Sequence, residues 1–131
     1  MRVEGAGMNN AANATTRGDG GAAKPFKALP ACPIETTMTL IGNKWTVLIV
    51  RDLLQGTKRF SQLRRSVGNV SQKVLTANLR GMEAHGLVNR KVYAEVPPRV
   101  EYSLTETGRS LETVIKAMAD WGRGYQQAMG R

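Results

Sequence analysis

Residues 60–86 read FSQLRRSVGNVSQKVLTANLRGMEAHG, and the order of residue types in this stretch decides the fold. Apolar side chains recur at helical spacing on both sides of the Gly68-Asn69 pair, which tolerates the left-handed backbone of a tight turn. Ser71 is a good N-cap for the second run, and Gly86 is suited to end it. The stretch therefore predicts two short helices joined by a tight turn, which is a helix-turn-helix unit.

The second helix of this unit, about residues 71–85, has two chemically different faces. At about 100° per residue, the apolar arc consists of Val74, Leu75, Leu79 and Met82. The opposite arc is basic and polar and consists of Lys73, Thr76, Ala77 and Arg80. We expect the apolar arc to pack on the preceding helix and the polar arc to stay free, where it fits the major groove of DNA.

The segments around this unit complete a predicted order of four helices, a hairpin and a last helix. Besides the second helix of the unit, the predicted helices cover residues 33–41, 44–54, 60–67 and a long final run to about residue 127, for which Thr105 is the expected N-cap. The predicted strands cover residues 87–94 and 99–104. In the second strand Val100, Tyr102 and Leu104 alternate with Arg99, Glu101 and Ser103. This alternation is typical of a strand that packs on one face. The predicted fold is mainly α with a small β-hairpin, a winged helix-turn-helix.

The charge of the chain is concentrated in the same region. The 131 residues include 19 lysines and arginines and 10 aspartates and glutamates, for a net charge of +9. Residues 57–99 hold nine basic residues against two acidic ones, which is +7 of that +9. A small, strongly basic domain indicates a polyanionic partner, most often nucleic acid and less often an anionic membrane surface. The alternative is that the basic side chains only solvate exposed helix faces.

The composition also excludes several classes of site. The single cysteine, Cys32, excludes an internal disulfide framework and a multi-cysteine metal site, and the single histidine, His85, excludes a histidine-rich one. No stretch approaches the roughly 18 to 20 apolar residues of a transmembrane helix, and the N-terminus lacks the apolar core of a secretory signal. No nucleophile–base arrangement is recognisable. We therefore expect a cytoplasmic protein that is not an enzyme and uses no metal or cofactor.

Residues 1–31 differ in character from the rest of the chain, because they are dominated by Ala, Gly, Asn and Thr and show no helical or strand period. We expect a disordered tail there, since few apolar groups are available to offset the entropy of ordering. The tail either contacts DNA through Arg17, Lys24 and Lys27 or is simply solvated. The folded domain is expected over residues 32–127, with a short C-terminal tail at 128–131.

Five motifs in this order carry a resemblance to a known family. They are CPIE at residues 32–35, IGNKW at 41–45, RFSQLR at 59–64, SQKVLT at 71–76 and PPRVEYSLT at 97–105. The chain resembles the HxlR-type regulators, winged helix-turn-helix proteins of bacteria and archaea related to the MarR fold, over about residues 32–125. The resemblance implies a homodimeric transcription factor, expected here to be a repressor, on inverted-repeat operators of double-stranded DNA.

Individual residues can be assigned to the expected DNA contacts and to the expected dimer interface. The expected major-groove and phosphate contacts are Ser71, Gln72, Lys73, Thr76 and Arg80, with Lys58 and Arg59 as backbone anchors. In the wing, Arg99 either enters a minor groove or pairs with Glu95 or Glu101 on the surface. By resemblance, the dimer forms through the first helix and a stripe on the last one that consists of Leu111, Ile115, Met118, Trp121 and Tyr125. The alternative is that the stripe packs within the same chain as part of its hydrophobic core.

Cys32 precedes Pro33, which suits the first position of a helix, so its sulfur lies where the helix dipole favours a thiolate. Glu35, one turn in, opposes this effect through its charge. The resemblance implies a cysteine that senses quinones, aldehydes or oxidants by alkylation, mixed disulfide or a disulfide between subunits. The alternative is a small buried hydrophobic residue without a signalling role.

Two further functions stay open from the sequence. One is a regulator without cysteine chemistry that binds a small molecule in a dimer cleft near Trp45 and Trp121. The other is a basic, RNA-associated structural protein, which shares the charge but not the helix-turn-helix geometry.

Overall fold

A computed structural model describes residues 28–130 of the chain. The predicted disorder of residues 1–27, and the proposed DNA contacts of that tail, lie outside the described residues. The elements of the described part are α1 (Pro33–Ile41), α2 (Lys44–Leu53), β1 (Lys58–Arg59), α3 (Phe60–Val67), α4 (Gln72–Ala84), β2 (Val88–Tyr93), β3 (Arg99–Leu104), α5 (Glu106–Arg109) and α6 (Glu112–Ala128).

The helix-turn-helix unit forms as the sequence predicts, because local capping groups fix both of its helices. Gly68 ends α3 at φ 118°, a backbone conformation that favours glycine. Ser71 then caps α4, and its side chain accepts a hydrogen bond from the Val74 backbone N–H at 3.1 Å. One element earlier, the Asn43 side chain caps α2 by accepting from Trp45 N–H at 2.8 Å. The predicted fold class is confirmed.

The prediction of one long final helix is wrong, because the segment divides into α5 and α6. The Thr105 hydroxyl accepts from Gly108 N–H at 2.9 Å and donates to the Gly86 carbonyl at 2.6 Å, which ties the start of α5 to the hairpin. Gly108 itself lies so close to the sheet that a Cβ there would be 2.1 Å from the carbonyl oxygen of Leu87. The chain turns at residues 110–111 and continues as α6, which contacts α2 instead.

The wing has a third strand that the sequence did not reveal. β1 pairs antiparallel with β3, with Lys58 opposite Tyr102 and Arg59 opposite Glu101. β2 pairs with the other edge of β3, so the strand order is β1–β3–β2 and β3 lies in the middle. Two residues are too few to show an alternating pattern, which is why β1 could not be recognised.

The core fills the space enclosed by α2, α3, α4 and the sheet. Its largest completely buried side chains are Ile49, Val50, Leu53, Leu63, Leu75 and Leu79. Val74 was expected in this core, and that prediction is wrong, since the residue is 38% exposed. One position along a helix turns the side chain by about 100°, so Val74 lies beside the Leu75–Leu79–Met82 stripe and not within it. No helix in residues 28–130 has the length and apolar character to cross a membrane.

Candidate DNA interface

The N-terminal half of α4 presents the polar face that the sequence predicts. Ser71, Gln72, Lys73 and Arg80 are exposed, and Thr76 is half-buried. Because Ser71 uses its oxygen to cap the helix, its hydroxyl hydrogen points away from the capping bond and is available to an acceptor. The first turn also carries backbone N–H groups that no helical carbonyl accepts. This end of α4 therefore combines hydrogen-bond donors, a lysine and a helix N-terminus, the groups that bind phosphate.

The two expected backbone anchors lie at the start of α3. Arg59 is exposed and directly precedes the helix, and its backbone N–H donates to Gln62 Oε1 at 2.9 Å. Lys58 is half-buried and pairs with β3 across the sheet. Both residues belong to β1, so the sheet fixes their backbone positions relative to the wing.

Further basic residues belong to the same region, although sequence reasoning did not assign them to the site. Arg64 and Arg65 line an open concavity between α3, the turn and the start of α4, and Arg64 Nε donates to the Val70 carbonyl at 3.0 Å. On β2, Arg90 and Lys91 are exposed. The excess of positive charge over residues 57–99 was the available signal, but charge alone does not say which side chains share a surface.

Arg99 makes both of the ion pairs that the sequence offered as the alternative to a DNA contact. One guanidinium nitrogen lies 2.9 Å from a Glu95 oxygen and another lies 3.1 Å from a Glu101 oxygen. The guanidinium carbon also lies 3.8 Å from the centroid of the Tyr93 ring. The side chain is 26% exposed. In the unbound chain the wing arginine is thus held by two carboxylates and an aromatic ring.

His85 lies at the opposite end of α4 from the proposed contacts. It forms the C-cap of that helix, and its backbone N–H donates to the Gly81 carbonyl at 3.0 Å. Burial lowers the pKa of His85 below its ordinary value of 6.5. The lowered pKa disfavours the charged imidazolium, so His85 does not extend the basic surface of α4.

Cys32 is exposed at the start of α1, so the alternative of a buried hydrophobic residue does not apply to the single chain. The residue is the N-cap and Pro33 follows in the first turn, as expected. Its carbonyl accepts from Thr36 N–H at 3.0 Å, while its side chain makes no capping hydrogen bond. The thiol is therefore accessible to a reagent from solvent.

The stripe on α6 divides into a packed and an open part. Leu111 and Ile115 are half-buried and pack against the core, as the intramolecular alternative predicts. Met118, Trp121 and Tyr125 are 48%, 71% and 54% exposed. The two aromatic rings stack on each other with their centroids 5.3 Å apart. The open part is thus an exposed apolar stretch of α6 that no element among residues 28–130 covers.

Comparison with known proteins gives a consistent result. The HxlR-like helix-turn-helix family matches residues 40–129. The HTH-type transcriptional regulator YdeP of Bacillus subtilis (strain 168) is 46% identical over 100 residues, which cover 76% of this chain and 78% of that protein. Among solved structures, the redox regulator HypR in its reduced form has a TM-score of 0.71 at 43% identity, covering 75% of this chain and 97% of HypR.

A second redox-related structure is also similar. The reduced form of the transcriptional regulator YodB from B. subtilis has a TM-score of 0.62 at 36% identity, covering 70% of this chain and 91% of YodB. The matched region contains the helix-turn-helix unit, the three-stranded wing and the last helix described above. The chain belongs to the HxlR-like helix-turn-helix family of transcriptional regulators.

Proposed function

We propose that the protein is a sequence-specific DNA-binding repressor that acts as a homodimer on an inverted-repeat operator. The observation that carries the proposal is the exposed polar face of α4, set within a segment of net charge +7. A helix of this kind enters the major groove with its N-terminal residues toward the base edges. The proposal assigns no catalytic step and no cofactor to the protein.

The side chains divide into reading and anchoring groups. Lys73, Thr76 and Arg80 read base edges, since lysine and arginine donate to guanine and threonine contacts either a polar edge or the thymine methyl group. Ser71 and Gln72 bind the phosphate nearest the start of α4. The same anchoring role falls to Lys58 and Arg59, and Arg99 is proposed to contact the minor groove from the wing.

The dimer is proposed to form through α1 and α6. Ile34 and Met38 of α1 are 74% and 60% exposed, and Met118, Trp121 and Tyr125 form the open part of the α6 stripe. Exposed apolar surface of this kind favours association, because its burial removes it from water. A two-fold axis through this surface would present two α4 helices to half-sites about one helical turn, ~34 Å, apart.

We further propose that Cys32 makes DNA binding responsive to electrophiles and oxidants. The exposure of the thiol supports this, as does the similarity to the redox regulators HypR and YodB. Because Cys32 begins α1, its alkylation or disulfide formation alters an element of the proposed dimer interface. The spacing of the two α4 helices then changes, and operator binding is lost.

The proposal is tested by selecting genomic DNA fragments with the purified full-length protein, with and without diamide or a quinone. The same selection is repeated with Cys32→Ser. Specific binding that is lost on treatment in the wild type only supports both the repressor and the sensor. Specific binding that is indifferent to treatment retains the regulator and contradicts the sensor.

The alternatives give different results in the same experiment. A response to a small molecule that persists in Cys32→Ser points to a ligand site near Trp45 and Trp121. Absence of any preferred fragment, together with tighter binding to RNA than to duplex DNA, contradicts the proposed function and favours an RNA-associated protein. Repression itself is tested by a reporter gene placed behind a selected fragment.

A further inference from the structure

α2 carries both of the polar or charged residues that are buried within residues 28–130, and each of them bonds a different helix of the helix-turn-helix unit. They are Thr46, 5% exposed, and Asp52, 4% exposed. The other buried side chains of α2 are the apolar Ile49, Val50 and Leu53. Apolar packing is not directional, whereas a hydrogen bond fixes the relative orientation of the two groups that make it. The hydrogen bonds of these two residues can therefore fix the orientation of α3 and α4 relative to α2.

Thr46 connects α2 to the reading helix α4. Its hydroxyl donates to Asn78 Oδ1 at 3.1 Å. Asn78 Nδ2 in turn donates to the Val74 carbonyl at 2.8 Å, one helical turn earlier, so both ends of the amide are engaged. Asn78 lies between Thr76 and Arg80 in the sequence of α4. A rotation of α4 that breaks this bond would also redirect the two proposed reading residues.

Asp52 connects α2 to α3 in a similar way. One carboxylate oxygen accepts from the Ser66 hydroxyl at 2.8 Å, and the other accepts from Arg51 Nε at 2.6 Å. This hydrogen bond from Arg51 to Asp52 is also the main reason that the pKa of Arg51 is raised. Ser66 lies in the last turn of α3, two residues before the glycine that begins the tight turn. Asp52 therefore holds α3 at the point where the chain leaves it for α4.

Polar groups in these positions are poor contributors to stability. Burying a hydroxyl or a carboxylate costs free energy that its hydrogen bonds at best recover, and valine fills nearly the same volume as threonine. What a buried polar pair can provide is a unique geometry, as polar residues in the cores of coiled coils do for register. α1 and α6 also contact α2, so this helix joins the proposed dimer surface to the reading unit.

We propose that Thr46 and Asp52 are positioning residues, which hold α4 and α3 at the orientation required to discriminate operator from random DNA. This inference rests on the proposed function and adds to it the residues that set specificity without touching DNA. It requires that loss of either hydrogen bond lowers discrimination while the electrostatic attraction to any DNA remains.

The experiment compares Thr46→Val with the wild type on two 30-base-pair duplexes, one selected from genomic DNA by the wild type and one of scrambled sequence. We expect the ratio of the two affinities to fall about fivefold, the effect of losing one buried hydrogen bond. Affinity for the scrambled duplex and its dependence on salt should stay unchanged, because no basic residue has been removed. Thr46→Ser, which keeps the hydroxyl, should restore the ratio, and Thr107→Val, at an exposed position of α5, serves as the matched control.

Two additional variants test the route of the effect. Ser66→Ala removes the hydroxyl that Asp52 accepts from, leaves the Arg51 hydrogen bond to the same carboxylate in place, and should also lower the ratio. Thr46→Val in an Asn78→Ala background should cause no further loss if Thr46 acts through Asn78.

The inference is overturned if Thr46→Val and Ser66→Ala keep the wild-type ratio, or if they weaken binding to both duplexes equally. Failure of Thr46→Ser to restore the ratio overturns it as well, since the methyl group and not the hydroxyl would then matter. A wild type that prefers no fragment contradicts the proposed function and the inference together. If the wild type clearly prefers the selected duplex and the variants keep that preference, only the inference is contradicted and the proposed function stands.

Discussion

His85 is the one histidine of the chain, and its burial should make the stability of the fold decrease below about pH 6.5. Burial lowers its pKa from the ordinary value of 6.5, so in that range the unfolded chain binds more protons than the folded one. The contribution of the neutral, buried His85 to stability is therefore fully present above pH 6.5 and is lost as the pH falls through the lowered pKa. We expect the urea midpoint to decrease between pH 7.5 and pH 5.5.

His85→Gln is the control for this effect, because glutamine does not titrate. Its urea midpoint should vary much less over the same pH range. An equal slope in the variant and the wild type would assign the pH dependence to other groups and contradict the prediction.

Gly108 is a residue whose lack of a side chain is required by packing. An added Cβ would lie 2.1 Å from the Leu87 carbonyl oxygen and 3.1 Å from a Leu104 methyl group. We expect Gly108→Ala to lower the free energy of unfolding by about 1–3 kcal/mol, the usual cost of overpacking. Urea denaturation measures the change.

A matched glycine is available in α4. At Gly81 a Cβ would meet no atom within 4 Å, so Gly81→Ala should stabilise the helix by about 0.5–1 kcal/mol. Similar effects of the two substitutions would contradict the packing argument for Gly108.

The residues that begin helices could largely be predicted from sequence. The residues at the border between the buried and exposed faces of a helix could not. Ser71 and Thr105 were predicted as N-caps and are N-caps, because capping depends on groups within three residues. Val74 was predicted to be buried and is exposed, because tertiary packing decides which residues at the edge of an apolar arc are covered. For Arg99 the sequence offered both a DNA contact and an ion pair, and only the fold places Glu95 and Glu101 around it together.

At the scale of elements, α4 and β1 are expected to contribute differently to DNA binding. Arg80→Ala should weaken operator binding well beyond nonspecific binding, because it removes the proposed base contact. Lys58→Ala should weaken both alike and lower the slope of log affinity against log salt by about one, because it removes the proposed phosphate contact. Titrations at several salt concentrations measure both effects, and equal effects from the two substitutions would contradict the proposed groove.

The ion pair between Glu95 and Arg99 in the wing leads to a further prediction. Glu95 holds Arg99 in an ion pair that is half exposed on the Glu95 side, and such pairs contribute only about 0–1 kcal/mol to stability. Glu95→Gln should therefore leave folding nearly unchanged while it removes a negative charge beside Arg99 and one of its two ion pairs, the pair with Glu101 remaining. We expect operator affinity at low salt to increase severalfold, measured by fluorescence anisotropy.

Glu112→Gln, an exposed glutamate on α6, is the control for the change in net charge alone. An equal increase in this control would mean that total charge, and not the loss of the Glu95–Arg99 ion pair, causes the gain. A decrease in Glu95→Gln would mean that the ion pair itself holds the wing in the binding conformation.

Elements with a strong period could be predicted, and those defined by tertiary contact could not. The longer helices follow from apolar spacing over eight or more residues, and the second hairpin strand follows from alternation over six. The division between α5 and α6 follows from the contact of Gly108 with Leu87, and β1 exists only because β3 pairs with it. Neither cause is local in sequence.

At the scale of the whole molecule, the open part of the α6 stripe is expected to hold two chains together. Trp121→Ala should shift the protein toward monomer, because it removes the largest exposed apolar side chain of the stripe. Lys116→Ala, on α6 but outside the stripe, should remain dimeric. Sedimentation velocity over a range of concentrations measures both variants, and a dimeric Trp121→Ala would place the interface elsewhere.

The central position of β3 has a consequence for the DNA itself. β3 is paired on one side with β1, which leads directly into α3, and on the other with β2, which follows α4. The reading helix and the wing tip are thus parts of one hydrogen-bonded frame, and their separation is set before any duplex is bound. If both contact DNA as proposed, they span adjacent grooves at a fixed distance. A duplex whose groove spacing already matches this distance is bound without deformation, whereas any other must be bent at a cost of about 1–6 kcal/mol. The preference of the protein then extends to base pairs that none of its side chains reaches, through the stiffness of the DNA between the two contacts.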